Sequence, residues 1–113
     1  MELLDFSSWL KATYNFDCYE NQLFKIVLED TFERFKNSTI NGVAFVDYYQ
    51  GHALYQELLL HYLSLLSTMI ELIPESESQT SLNILGLPLN HFSSHKNNLK
   101  FQVSQLKNQV KVS

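Results

Sequence analysis

The most apolar part of the chain is Leu58-Leu59-Leu60-His61-Tyr62-Leu63-Ser64-Leu65-Leu66, which as a helix is apolar on nearly every side. A helix with this pattern is typical of a position surrounded by other elements. The apolar run continues to Ile73 and stops at Pro74, a residue that ends helices. We therefore expect a central helix that ends just before Pro74.

The same run predicts no membrane span. From Leu58 to Ile73 it has 16 residues and contains His61 and Glu71, whereas a transmembrane helix needs about 20 apolar residues with few charges. The N-terminal residues are acidic where a secretory signal would be basic. The chain has a single cysteine, which excludes an intramolecular disulfide and fits a reducing compartment. We expect a cytoplasmic protein without membrane contact.

The segments before this run predict two further helices. Leu3 to Tyr14 places its apolar residues at intervals of three and four, which indicates a short amphipathic helix. Asp17 and Glu20 have the spacing of a capping box and predict a helix from Cys18 to Lys36. The apolar positions of that segment cover a broad face, which is typical of a helix packed on a core.

Residues 39–46 have two incompatible interpretations. Asn41-Gly42 lies between β-branched residues and is a strong hairpin signal. However, apolar residues at helical spacing continue from Val43 into the central run, and isolated two-stranded hairpins are marginal in water. We favour one helix from about Asn41 or Gly42 to Ile73, bent or broken near Gly51, with the hairpin over 39–46 as the alternative.

The rest of the chain predicts an irregular connection and a last helix. Residues 75–81 have no apolar side chain and indicate an exposed loop, whereas residues 82–89 are apolar around Gly86 and Pro88. A helix from about Asn90 to Val112 follows, with a narrow apolar seam of Leu99, Val103, Leu106 and Val110. The sequence therefore predicts an all-α fold: one domain over residues 1–113, an up-and-down bundle of four to five helices with one irregular connection at about 74–90.

Charge is distributed unevenly along the chain. Residues 1–77 hold all 12 Asp and Glu residues and four Lys and Arg residues. Residues 78–113 hold four lysines and no other Asp, Glu, Lys or Arg, and the net charge of the chain is −4. The lysines can pair with the chain's own acidic part, or they can face a phosphate backbone or an acidic protein. The candidate binding residues for nucleic acid or an acidic partner are Lys96, Lys100, Lys107 and Lys111.

The residues that could support catalysis form no recognisable constellation. His91 and His95 would share one face of a helix, but no third metal ligand lies nearby in the sequence. Cys18 has no local base and is expected to be a buried apolar side chain. His61 is expected to be a hydrogen-bonded core histidine or a packing residue. We expect no metal, no cofactor and no enzymatic activity.

These features favour a non-catalytic helical interaction module. The apolar content exceeds the needs of one small core, so we expect other protein subunits, or a second copy, to cover part of the surface. The most concrete version is a small subunit of a larger nucleoprotein assembly whose basic C-terminal helix lies toward nucleic acid. In size and helical organisation, over the whole chain, the protein resembles the small subunits of CRISPR effector complexes, and this resemblance implies a role in RNA-guided defence. The alternative is a free-standing acidic regulatory or inhibitor protein, such as a phage-type anti-defence factor, that binds a basic partner protein.

Overall fold

The computed structural model describes residues 3–79 and 83–112, except for the side chains of residues 111 and 112, and most of these residues are helical. In chain order the elements are α1 (Leu3–Tyr14), α2 (Gln22–Lys36), β1 (Thr39–Ile40), β2 (Val43–Ala44), α3 (Phe45–Tyr48), α4 (His52–Glu71), β3 (Asn83–Ile84), β4 (Leu87–Pro88), a 3₁₀ helix (Leu89–His95) and α5 (Lys96–Val112). The predicted all-α class with four to five helices is confirmed, since the strands found in the described residues form only two short hairpins. None of the helices in this part of the chain is long and apolar enough to cross a bilayer.

The chain divides into two compact units, Met1–Tyr62 and Leu63–Ser113, and α4 contributes to both. The single domain expected from the sequence stays a prediction. In the first unit, the Phe6 ring from α1 lies 5.6 Å from Phe32 of α2 and 6.4 Å from Tyr62 of α4. Burial of each large apolar side chain contributes about 1.5–3 kcal/mol. The fully buried residues of this unit include Phe6, Leu10, Leu23, Phe24, Leu28, Leu58, Leu59 and Tyr62.

The start of α2 differs from the prediction. The helix begins at Gln22, and Asn21 is its N-cap residue because the Asn21 Oδ1 accepts a hydrogen bond from the Phe24 N–H at 2.9 Å. The Asp17 carboxylate instead accepts from the Tyr19 N–H, also at 2.9 Å. Because α2 begins only at Gln22, this bond closes a turn before the helix and does not cap it. The predicted capping box at Asp17 was therefore wrong, and the segment before Asn21 is a turn.

The helix favoured from about Asn41 or Gly42 is also wrong, because β1 and β2 form the alternative hairpin with Ile40 opposite Val43. Asn41 and Gly42 have φ values of +52° and +80°, the left-handed geometry that a two-residue hairpin turn requires. The hairpin leads directly into α3, where the buried Phe45 ring lies 4.2 Å from Phe35 of α2. This packing supplies the support that an isolated hairpin lacks. The predicted break near Gly51 is confirmed, since α4 begins one residue later.

One side of α4 is more exposed than its sequence suggests. Leu58, Leu59, Tyr62, Leu63 and Leu66 are buried, as expected. Leu60 is 51% exposed, however, and His61, Ser64 and Thr68 on the same stripe are also exposed. His61 is therefore a packing residue whose ring lies 4.5 Å from that of Phe35, rather than a core histidine.

The second unit contains the end of α4, the second hairpin, the 3₁₀ helix and α5. α4 ends at Glu71, before Pro74, as predicted. The irregular connection contains a hairpin in which Ile84 pairs with Leu87 around Leu85 and Gly86, whose φ values are +54° and +81°. The buried residues of this unit include three positions of the predicted α5 seam, Leu99, Val103 and Leu106.

Candidate functional site: the lysine stripe of α5

The four candidate lysines lie along one side of α5. Their spacing of four, seven and four residues places them within about 60° of each other around the helix axis, at about 100° per residue. We call Lys96, Lys100, Lys107 and Lys111 the lysine stripe; the Lys111 side chain lies outside the described residues. α5 has no acidic residue, so its only charges are these lysines.

Lys96, the first residue of the stripe, has a structural role. Its side chain is 10% exposed, and its Nζ donates to the Ile73 carbonyl oxygen at 2.7 Å and to Glu75 Oε1 at 3.0 Å. Ile73 lies just beyond the C-terminus of α4, which is the negative end of the helix dipole. The ammonium group therefore neutralises the end of α4 and ties α5 to it, rather than facing solvent.

Lys100 is only partly engaged. Its Nζ lies 3.2 Å from Glu71 Oε1, and the two side chains are 46% and 65% exposed. Ion pairs between exposed side chains contribute about 0–1 kcal/mol because water and salt compete with them. An external anion can therefore replace the Glu71 carboxylate at Lys100.

Lys107 lies on the same side as Lys100 and shares a small groove with it. The groove lies between the end of α4 and α5 and has a volume of about 90 Å³. Among the described residues, no ion pair involves Lys107. The groove is lined by Ser67, Ile70, Glu71, Lys100, Val103, Ser104 and Lys107.

Ser104 is the centre of the exposed part of this site. It follows Lys100 by four residues and Phe101 by three, and it precedes Lys107 by three. Helix neighbours at these spacings have Cβ atoms about 5–6 Å apart. The Ser104 side chain is exposed, and Phe101 is 61% exposed on the side of α5 turned away from the buried seam. Around the α5 axis, the Ser104 hydroxyl group thus lies about 40–60° from the two lysines, and the Phe101 ring lies about 60° further on.

The buried Cys18 in the first unit has no features of a nucleophile. Burial, as the largest cause, raises the pKa of its thiol to about 12, and the thiol lies beside the Tyr62 hydroxyl group. Burial also raises the pKa of Tyr62, whose Oη donates to the Phe24 carbonyl oxygen at 3.0 Å. Cys18 is therefore a neutral thiol at physiological pH. It is buried, as the sequence predicted.

The histidine pair is separated by the local helix type. His91 and His95 lie in the 3₁₀ helix, where residues four apart differ by about 120° in direction because a turn takes three residues. The shared face expected for an α-helix was therefore wrong. In the described part of the chain, no group of three or more His, Cys, Asp or Glu residues is placed to hold a metal ion.

The sequence identified the lysines but not the groove around them. Their spacing alone gives the stripe, whereas Ser67 and Glu71 come from α4 and no sequence signal connects them to α5. Two of the three described lysines pair with acidic residues of the chain itself, Lys96 with Glu75 and Lys100 with Glu71. Binding of nucleic acid or an acidic partner by the stripe stays a prediction. Comparison of the chain with protein-family models, curated proteins and solved structures gives no match.

Proposed function

We propose that this chain is a non-catalytic helical interaction module that acts as a small subunit of a cytoplasmic nucleoprotein assembly, with α5 toward a nucleic-acid strand. The observation that carries this proposal is the pair of cations at the α5 groove, Lys100 and Lys107, on a helix without acidic residues. Lysines that neutralise phosphates supply most of the sequence-independent affinity for nucleic acid. RNA-guided effector complexes are the kind of assembly in which such a subunit would serve.

Exposed apolar side chains support the participation of other protein subunits. Leu4 of α1 is 67% exposed, and Leu72, which follows α4, is 53% exposed. Single exposed apolar residues are common, but interfaces are enriched in aromatic residues and depleted in charge at their centres. Contact with other subunits, or with a second copy of this chain, would remove these side chains from water.

The proposal is tested by the salt dependence of oligonucleotide binding. Fluorescence anisotropy of a labelled single-stranded oligothymidylate should give a log–log slope of affinity against salt of about −0.7 for each phosphate contact. The Lys100→Gln/Lys107→Gln double variant should lower the magnitude of this slope. The matched control is Lys25→Gln, which removes an exposed charge from α2 in the first unit. Absence of oligonucleotide binding by the unmodified chain would overturn the proposal.

A second candidate function is an acidic inhibitor that binds a basic partner protein. It is favoured by the pairing of Lys96 and Lys100 within the chain, which reduces the cationic character of α5. It is also favoured by the acidic excess of residues 1–62, which hold nine Asp and Glu residues against four Lys and Arg. Light scattering separates the candidates, because an inhibitor should be a stable monomer whereas an isolated assembly subunit should self-associate.

A further inference from the structure

We propose that the α5 surface around Ser104 binds one nucleotide unit of a single strand, with the phosphate at Lys100 and Lys107 and the base stacked on Phe101. This inference rests on the proposed function and names the ligand of the same surface. The proposed site includes Phe101, which is not part of the lysine stripe. It also predicts a preference for single strands over duplexes.

The phosphate position follows from the groove. Lys100 and Lys107 both line it, and the exposed Ser104 hydroxyl group lies between them along the helix. Lysine provides the positive charge for a phosphate oxygen, and a serine hydroxyl group can donate a hydrogen bond to another. Ser67 is less suited to this task, because its hydroxyl group already donates to the Leu63 carbonyl oxygen at 2.9 Å.

The Glu71 carboxylate competes for the same cation. It holds the Lys100 ammonium group at 3.2 Å and is itself 65% exposed. A phosphate that enters the groove must replace this carboxylate and is repelled by its charge. Neutralisation of Glu71 should therefore strengthen binding, an effect that a purely structural ion pair would not produce.

The base position follows from Phe101. Its ring is 61% exposed, and Ser104 is its helix neighbour three residues later. Proteins that hold single strands without sequence preference combine lysines along the backbone with aromatic rings under the bases. Bases within a duplex are already stacked on each other, so only an unpaired base can use this ring.

Anisotropy with a labelled oligothymidylate tests each part separately. Phe101→Ala should weaken single-strand binding by about five- to 150-fold, the range for loss of one base stack, with little change in the salt slope. Lys107→Gln should reduce the magnitude of the slope by about 0.7. Ser104→Ala should weaken binding by about two- to tenfold. Glu71→Gln should tighten binding by about two- to fivefold.

Matched controls exclude general effects of charge and apolar area. Glu29→Gln removes an exposed acid from α2, and Leu60→Ala removes an exposed leucine from α4; neither should change the affinity. An abasic strand of the same length should bind the unmodified protein about as weakly as the normal strand binds Phe101→Ala. Circular dichroism should show unchanged helix content in each variant.

The outcomes separate this inference from the proposed function. If the unmodified chain binds no oligonucleotide, both are overturned. If it binds with a salt slope that depends on Lys107, but Phe101→Ala and Glu71→Gln have no effect, the proposed function stands and the nucleotide site is overturned. Equal affinity for duplex and single strand would likewise overturn the stacking role of Phe101.

Discussion

The Lys96 ammonium group donates a 2.7 Å hydrogen bond to the carbonyl oxygen of Ile73, which lies 23 residues earlier in the chain. Lys96 therefore differs from the other described lysines of α5: it stabilises the fold, whereas Lys100 and Lys107 lie at the groove. Four lysines that are equivalent in sequence thus separate into one buried structural residue and two groove residues, and the Lys111 side chain lies outside the described part of the chain.

Lys96→Gln should lower the free energy of unfolding by about 1–3 kcal/mol, because it removes a charge-assisted hydrogen bond from a buried carbonyl group. Lys107→Gln should change it by no more than about 0.5 kcal/mol, as expected for a surface substitution. Urea unfolding followed by circular dichroism measures both. Equal, small effects of the two substitutions would contradict the structural role of Lys96.

The two hairpins show which local signals the sequence carries. Asn41-Gly42 marked the first turn correctly, but the sequence offered no third strand, and the contact of Phe45 with Phe35 that supports the hairpin is tertiary. The second turn has Leu85 where the first has Asn41, so the usual residue preference for a left-handed position was missing. Residue preference therefore identified the first turn but not the second.

The site was predictable to a similar extent. The absence of acidic residues after Glu77 and the spacing of the lysines identified the stripe from sequence alone. The contact between α5 and the end of α4 decides which lysine of the stripe is buried. The same contact brings Glu71 to Lys100, and the sequence alone does not show this pairing. Residue pattern gives the face of a helix, whereas the register between helices decides what that face touches.

The predicted core of α4 can be tested with two leucines of the same helix. Leu66→Ala should cost about 2–5 kcal/mol, because the side chain is fully buried and its loss leaves a cavity. Leu60→Ala should change the stability by no more than about 0.5 kcal/mol, because Leu60 is half exposed. Both free energies come from chemical denaturation. A loss below about 1 kcal/mol for Leu66→Ala would mean that this side of α4 is not part of the core.

Substitutions at the first position of each hairpin turn should have opposite effects on stability. Leu85 has a φ of +54°, a conformation that costs most side chains about 1–2 kcal/mol but that asparagine tolerates. Leu85→Asn should therefore stabilise the protein, by about 1 kcal/mol. Asn41→Leu, at the same position of the first turn with a φ of +52°, should destabilise it by a similar amount. Thermal unfolding compares the two. A loss of stability in Leu85→Asn would mean that the leucine side chain contributes more by packing than the turn loses by strain.

The buried thiol of Cys18 predicts how stability depends on pH. Its pKa is raised from an ordinary value of 9.0 to about 12, so above pH 9 the unfolded chain loses this proton while the folded chain keeps it. The folded state then binds more protons than the unfolded state, and stability falls as the pH rises from 9 toward 12. Below pH 9 the contribution is fully present. Urea unfolding at pH 7, 9 and 10.5 should show this decline, and the Cys18→Ala variant should show a shallower one, with the remainder due to groups such as Tyr62.

Alkylation by iodoacetamide gives an independent readout of the Cys18 thiol. Cys18 should react slowly in the folded protein even at pH 9, because the thiol is buried and its pKa is raised to about 12, and quickly after unfolding in urea. Rapid alkylation of the folded protein at neutral pH would show that the thiol is neither buried nor protonated.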